Sequence, residues 1–145
     1  MESSSDRPFA ELTRRILGSA ICVHRQLGPG LLESTYRACL VGQLELDGFG
    51  VRSEVAIPIR YAGSQFESGY RADLVVEGKV LVELKAVERL LPIHEAQTLT
   101  YLRHSNLPVG LLINFNVIQL TRGIRRFART ASDRIQSPLP MPPFP

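Results

Sequence analysis

Lysine is nearly missing from this chain: among 17 basic residues only Lys79 and Lys85 are lysines. Genome composition alone produces an arginine bias of this kind. A lysine kept inside an apolar run, as Lys85 is, nevertheless marks a place where a compact ammonium suits better than a bulkier planar guanidinium. Cysteine is equally scarce. Cys22 and Cys39 lack CxxC spacing and fall on expected helices, which argues against a disulfide framework or a zinc site and predicts buried free thiols. No apolar run approaches the roughly 20 residues of a membrane helix, and Met1-Glu2-Ser3-Ser4-Ser5-Asp6 does not read as a signal peptide. The expectation is a cytoplasmic protein without membrane contact. There is no internal repeat and no visible aromatic platform for stacking single strands. The net charge of +3 is compatible with nucleic acid without demanding it.

What is present suits one domain with a real core in 145 residues, over 9–130, between a flexible N-terminus (1–8) and a flexible proline-rich tail (131–145). Phe9, Leu12, Ile16, Ala20, Val23 and Leu27 recur at helical steps, and Gly28-Pro29-Gly30 ends that helix. A second helix is expected over Leu31–Leu46, with Leu32, Tyr36, Cys39 or Leu40, and Gln43 or Leu44 along one side. The period then becomes two, predicting a strand from Val51 to Tyr61 and others over Phe66–Val76 and Val80–Ala86. Pro92 opens a third helix, about Ile93–His104, and Val109–Phe115 reads as a last apolar strand. This order predicts an α/β sandwich: a mixed sheet whose first three strands are antiparallel, with the third helix crossing to a parallel neighbour.

The chemistry centres on Val80-Leu81-Val82-Glu83-Leu84-Lys85-Ala86. Residues i and i+2 of a strand share a face, so Glu83 and Lys85 project together from an otherwise apolar run. Burying charges costs several kcal/mol each unless they are compensated. Upstream, Asp73 lies across a hairpin at Glu77-Gly78-Lys79. A three-residue loop places Asp73 directly opposite Glu83, with Cβ atoms about 5 Å apart; a two-residue loop puts them on opposite faces. Two facing carboxylates must bind a proton or share a cation, and an oxygen-rich site of this kind favours Mg²⁺ or Mn²⁺. With Lys85 on the same face, the set suits hydrolysis of phosphodiesters. The competing structural reading is an edge-strand ion pair facing solvent.

Two helices offer further groups. His94, Gln97 and Tyr101 share one face of the third helix, where Gln97 and Tyr101 could hold a phosphate or a metal-bound water; His94 reads better as a capping or solvent-facing residue than as a ligand. In Gly30-Leu31-Leu32-Glu33-Ser34-Thr35-Tyr36, Glu33 occupies the first helical turn. There it serves the helix macrodipole or supplies another acid to the metal. Arg122, Arg125, Arg126 and Arg129 form a basic cluster that binds phosphates or simply faces solvent.

These motifs together resemble the bacterial GxxExxY protein family of the PD-(D/E)XK nuclease superfamily. The pattern runs from Gly30–Tyr36 through Arg71-Ala72-Asp73, Glu83-Leu84-Lys85-Ala86-Val87, His94-Glu95-Ala96-Gln97 and Tyr101-Leu102 to Gly110–Phe115, and the likeness covers about residues 10–128. It implies a restriction-endonuclease-like mixed sheet flanked by helices and a Mg²⁺-dependent (or Mn²⁺-dependent) nuclease site. By position, Asp73, Glu83 and Glu33 would be metal ligands and Lys85 the catalytic lysine, with Gln97 and Tyr101 resembling the QxxxY element of RecB-type exonucleases. Ala72 stands where the superfamily's proline would be, which bears on backbone shape more than on chemistry. The expected partner is nucleic acid, DNA before RNA, with Arg122, Arg125 and Arg126 as candidate contacts. A chain this short leaves room for a homodimer or a partner subunit. The rival class is a non-catalytic module that keeps the fold to bind nucleic acid or protein.

Overall fold

The computed structural model describes residues 9–129 and 135–136; the expectations for 1–8, and for the remainder of 131–145, lie outside the described residues. Two helices lead, α1 (Ala10–Leu27) and α2 (Glu33–Leu46). Strands β1 (Val51–Ala56), β2 (Ile59–Tyr61), β3 (Ser64–Phe66), β4 (Arg71–Val76) and β5 (Val80–Lys85) follow. Helix α3 (Pro92–Ser105) then connects to β6 (Val109–Asn114), and a 3₁₀ turn at Leu120–Gly123 leads to β7 (Ile124–Arg129) and β8 (Ile135–Gln136). The main sheet runs β1-β4-β5-β6-β7-β8. Only β5 and β6 are parallel among the described strands, and α3 makes the crossover between them. Among the described residues, no helix is long and apolar enough to cross a membrane.

Period-two and period-3.6 patterning builds two layers on this sheet. Ile16, Ala20 and Val23 of α1 join Tyr36, Leu40 and Leu44 of α2 over Leu74, Val76, Val80, Val82, Leu84, Val109, Leu111 and Ile113. Tyr101 and Leu102 of α3 cover the other face with Ala72, Leu81, Leu112 and Phe127. β5 is therefore an interior strand between β4 and β6, which excludes an edge-strand ion pair at Glu83.

The structure corrects three expectations. The strand expected over Val51–Tyr61 breaks at Ile57-Pro58, where proline supplies no N–H to a ladder. The strand expected over Phe66–Val76 also breaks, at Glu67–Tyr70 around Gly69, whose φ is 77°. The end of the first, Ile59–Tyr61, pairs instead with Ser64–Phe66 as a separate hairpin, β2–β3. Cys22 and Cys39 are free, but neither is fully buried: Cys22 is half-buried, and Cys39 is exposed because it sits one step off the Tyr36–Leu40–Leu44 stripe. The arginine-rich stretch from Ile124 is strand β7.

Tyr36 pins the loop between α1 and α2. Its ring is buried and stacks on Phe115 with centroids 4.6 Å apart. Its hydroxyl donates to the Gly28 carbonyl at 2.5 Å and accepts from the Leu31 N–H at 3.2 Å. Within that loop Gly30 has φ 104°, a conformation that favours glycine. Tyr36→Phe should destabilise the fold by about 1–3 kcal/mol by orphaning both backbone groups, measurable by chemical denaturation. An unchanged midpoint would contradict that role.

Candidate active site at the open end of the β4–β5 hairpin

The β4–β5 turn is the three-residue loop. Val76 pairs with Val80 and Leu74 with Val82, and Glu77 and Gly78 take positive φ of 55° and 62° between them. One step beyond the last pair, Asp73 stands opposite Glu83. There the regular ladder between β4 and β5 stops, while β5 stays paired with β6 as far as Lys85–Asn114. Side chains take over the freed backbone groups: the Asp73 N–H donates to Glu83 Oε1 at 3.0 Å, and the Leu84 N–H donates to Asp73 Oδ2 at 2.8 Å. Val80, Val82 and Leu84 face α1 and α2, so alternation sends Glu83 and Lys85 toward α3, as expected.

Glu83 is only 7% exposed. Burial first, and the Asp73 charge second, push its carboxyl up from 4.5 to about 8; Glu33 pushes the same way, while the Asp73 N–H and the Lys85 ammonium oppose the rise. Tyr101 of α3 lies close enough that desolvation, followed by the charges of Glu83 and Asp73 and by Tyr70, raises its phenol above the ordinary value. Tyr101 thus stays a hydrogen-bond donor across neutral pH.

The remaining candidates occupy varied positions. Glu33 is exposed in the first turn of α2 and makes itself felt at Glu83 through its charge. Among the described residues no group of three or more His, Cys, Asp and Glu is already drawn together as a metal cage. Gln97 is half-buried on α3, four residues before Tyr101. His94 acts as a cap, its Nδ1 accepting from the Leu91 N–H at 2.9 Å. The arginine cluster is split. Arg125 and Arg126 are consecutive on β7 and so point to opposite faces; Arg125 lies 3.8 Å from Glu95, while Arg122 donates to Gln119 at 3.0 Å.

Sequence reasoning missed Arg37. From α2 its guanidinium donates to Asp73 Oδ1 at 3.0 Å and reaches Glu54 at 3.7 Å. The available signal was its place four residues after Glu33, on the helix face turned toward the acids.

A mixed sheet flanked by helices, with two acids and a lysine where a hairpin opens, defines a restriction-endonuclease-like fold. The family model described as the PD-(D/E)XK nuclease superfamily matches residues 10–127, and the chain belongs to that superfamily. No curated protein and no solved structure matches it. Nucleases of this superfamily generally use divalent metals. The donor set here fits one: two facing carboxylates, one of them burdened with a proton, are hard oxygen ligands, and Mg²⁺ typically takes one or two carboxylates with water and phosphate completing its shell.

Two outcomes are expected. Below 4.5 Glu83 is protonated in folded and unfolded chains alike; from there to about 8 the unfolded chain loses that proton first, so stability falls as pH rises through the window and levels off above it. Melting curves of metal-free Glu83→Gln should show a shallower fall over that range than wild type, and parallel falls would refute the burden on Glu83. Arg37→Met should lower metal-free stability by about 1 kcal/mol. It should also tighten Mn²⁺ binding several-fold in calorimetry by removing the cation that competes for Asp73, and weaker binding would contradict this.

Proposed function

We propose that this domain is a metal-dependent nuclease of the GxxExxY type that hydrolyses phosphodiester bonds, DNA being the first substrate to test. The observation that carries the reading is the opposition of half-buried Asp73 to buried Glu83, with Lys85 on the same strand face as Glu83. Mg²⁺ or Mn²⁺, when bound, supplies charge against the phosphate and acidity to a water molecule. Asp73 and Glu83 would hold the ion, Glu83 giving up its proton as it does so. Glu33, whose charge already acts on Glu83, would be the third acid toward that ion.

Lys85 has a neutral-pH role that arginine would fill less well. Its compact ammonium donates to the attacking water or to a non-bridging phosphate oxygen and stabilises the charge that grows as the bond to the leaving oxygen breaks. Tyr101, kept protonated, donates to the phosphate from the α3 side, and Gln97 orients the same group. Arg37, which pairs with Asp73, would keep Glu54 as its second partner with an ion held at Asp73.

The decisive experiment compares wild type with Lys85→Ala on labelled linear and circular DNA in a divalent-metal screen. Cleavage should require Mg²⁺ or Mn²⁺ and fall by about 10²–10³-fold or more in the variant, with an unchanged melting temperature. Cleavage that survives the substitution would remove Lys85 from the mechanism. Salt-sensitive binding without cleavage in any metal would favour a module that has kept the fold for recognition.

A further inference from the structure

The β2–β3 hairpin is an arm that the hydropathy pattern does not announce. Among the described strands it pairs only with itself, and it stands off the main sheet. It is anchored nevertheless. Arg60 clamps the end of α3, its N–H donating to His104 Nδ1 at 3.1 Å and its guanidinium to the Arg103 carbonyl at 3.2 Å and Asn106 Oδ1 at 2.7 Å. A second tie closes its base, where Ser68 Oγ donates to the Ile57 carbonyl at 2.6 Å and the Ile57 N–H donates to the Tyr70 carbonyl at 3.0 Å.

Between this arm and the start of β4 lies a cleft of about 500 Å³, lined by Pro58, Gln65, Phe66, Glu67, Tyr70 and Arg71 among others. Phe66 is 53% exposed and Tyr70 52% exposed, and Tyr61 on the same hairpin is 72% exposed. Large rings held out on an anchored arm lose little further freedom when a flat ligand stacks on them. The cleft carries one arginine and one carboxylate, so its net charge alone does not draw in an anion. Gln65 and Glu67 offer an amide and an acceptor suited to the edge of a base. Arg71 donates to the neutral Glu54 carbonyl at 3.2 Å, a bond that leaves its charge to a passing backbone phosphate.

The cleft also adjoins the acids. Tyr70 precedes Asp73 by three residues, about 10 Å of extended chain, and its ring contacts Tyr101 with centroids 5.5 Å apart. From this juxtaposition we infer that the cleft is a nucleobase subsite, in which an unpaired base stacks on Phe66 and Tyr70 while its strand runs on to the acids. The inference rests on the nuclease reading and narrows its substrate to single-stranded or frayed nucleic acid. A base inside a duplex has no exposed face to offer the rings.

The test uses the full chain in EDTA, so that cleavage does not intervene. The probes are a 15-nucleotide single strand of DNA carrying 2-aminopurine, its RNA counterpart and the blunt DNA duplex. Wild type should bind at least one single strand more tightly than the duplex and perturb 2-aminopurine fluorescence. Phe66→Ala and Phe66→Leu should each lose about 5- to 100-fold in single-strand affinity, with duplex binding and melting temperature unchanged, while Phe66→Trp should retain affinity. The slope of log affinity against log salt should stay constant in the Phe66 series and fall by about 0.7 in Arg71→Gln. Equal affinity for single strand and duplex, full binding by Phe66→Leu, or no binding by wild type would each overturn the subsite. So would a wild-type self-association lost in Phe66→Ala with single-strand binding intact, which would make the arm a contact for a second copy. Cleavage by wild type and Lys85→Ala in Mg²⁺ is scored separately. Lys85-dependent cleavage with Phe66-independent binding refutes the subsite alone; Phe66-dependent binding with no cleavage refutes the nuclease reading alone.

Discussion

Two carboxylates facing each other across an opened hairpin impose the condition that the rest of this domain answers. Asp73 and Glu83 occupy positions where a sheet would ordinarily place an apolar cross-strand pair, and each accepts a backbone N–H from the opposite strand. Those two bonds satisfy donors that the interrupted ladder leaves over. They do not neutralise charge. The domain therefore surrounds the pair with cations it can hold or release: Lys85 on the same strand, Arg37 from α2, and the proton that Glu83 retains.

Both helical layers converge on that point, for different reasons. α2 comes from the layer over the apolar face, and Tyr36 fixes its entry so that Glu33 and Arg37 overhang the end of β4. α3 comes from the opposite layer as the crossover that makes β5 and β6 parallel, which sets Tyr101 over the face carrying Glu83. Buried stacking of Tyr36 on Phe115 and the packing of Leu102 against the sheet thus position chemical groups without contributing chemistry themselves.

Legibility in the sequence followed the strength of the local signal. The apolar run Val80–Leu84 and the turn Glu77-Gly78-Lys79 narrowed the register to two choices, and the pairing of Val76 with Val80 selects the one that opposes Asp73 to Glu83. The arm could not be read this way. Val51–Tyr61 alternates without interruption in hydropathy, and only the lost N–H of Pro58, together with a bend around Gly69, tells that the chain leaves the sheet. Arg37 was hidden for another reason: a partly exposed arginine on a helix has the signature of a solvated charge, and its partner is 36 residues away. Among the arginines, closeness in sequence does not mean a shared face: Arg125 and Arg126 alternate on β7, while Arg122 lies in the turn before it.

The same physical layout bears on what a bound cation would be for. The apolar core, from Ile16 and Leu40 on the helices to Val82, Val109 and Phe115 beneath them, is closed by side chains alone. With Arg37 against Asp73 and a proton on Glu83, the acids are compensated before any ion arrives. A staple would replace missing core; here the core is present, and a cation would instead displace one partly exposed arginine and one proton. Both departures are local and reversible. On the proposed reading, ion binding there would change the charge and hydration of the pocket and leave the fold as it was, as a site acting on an incoming phosphate requires.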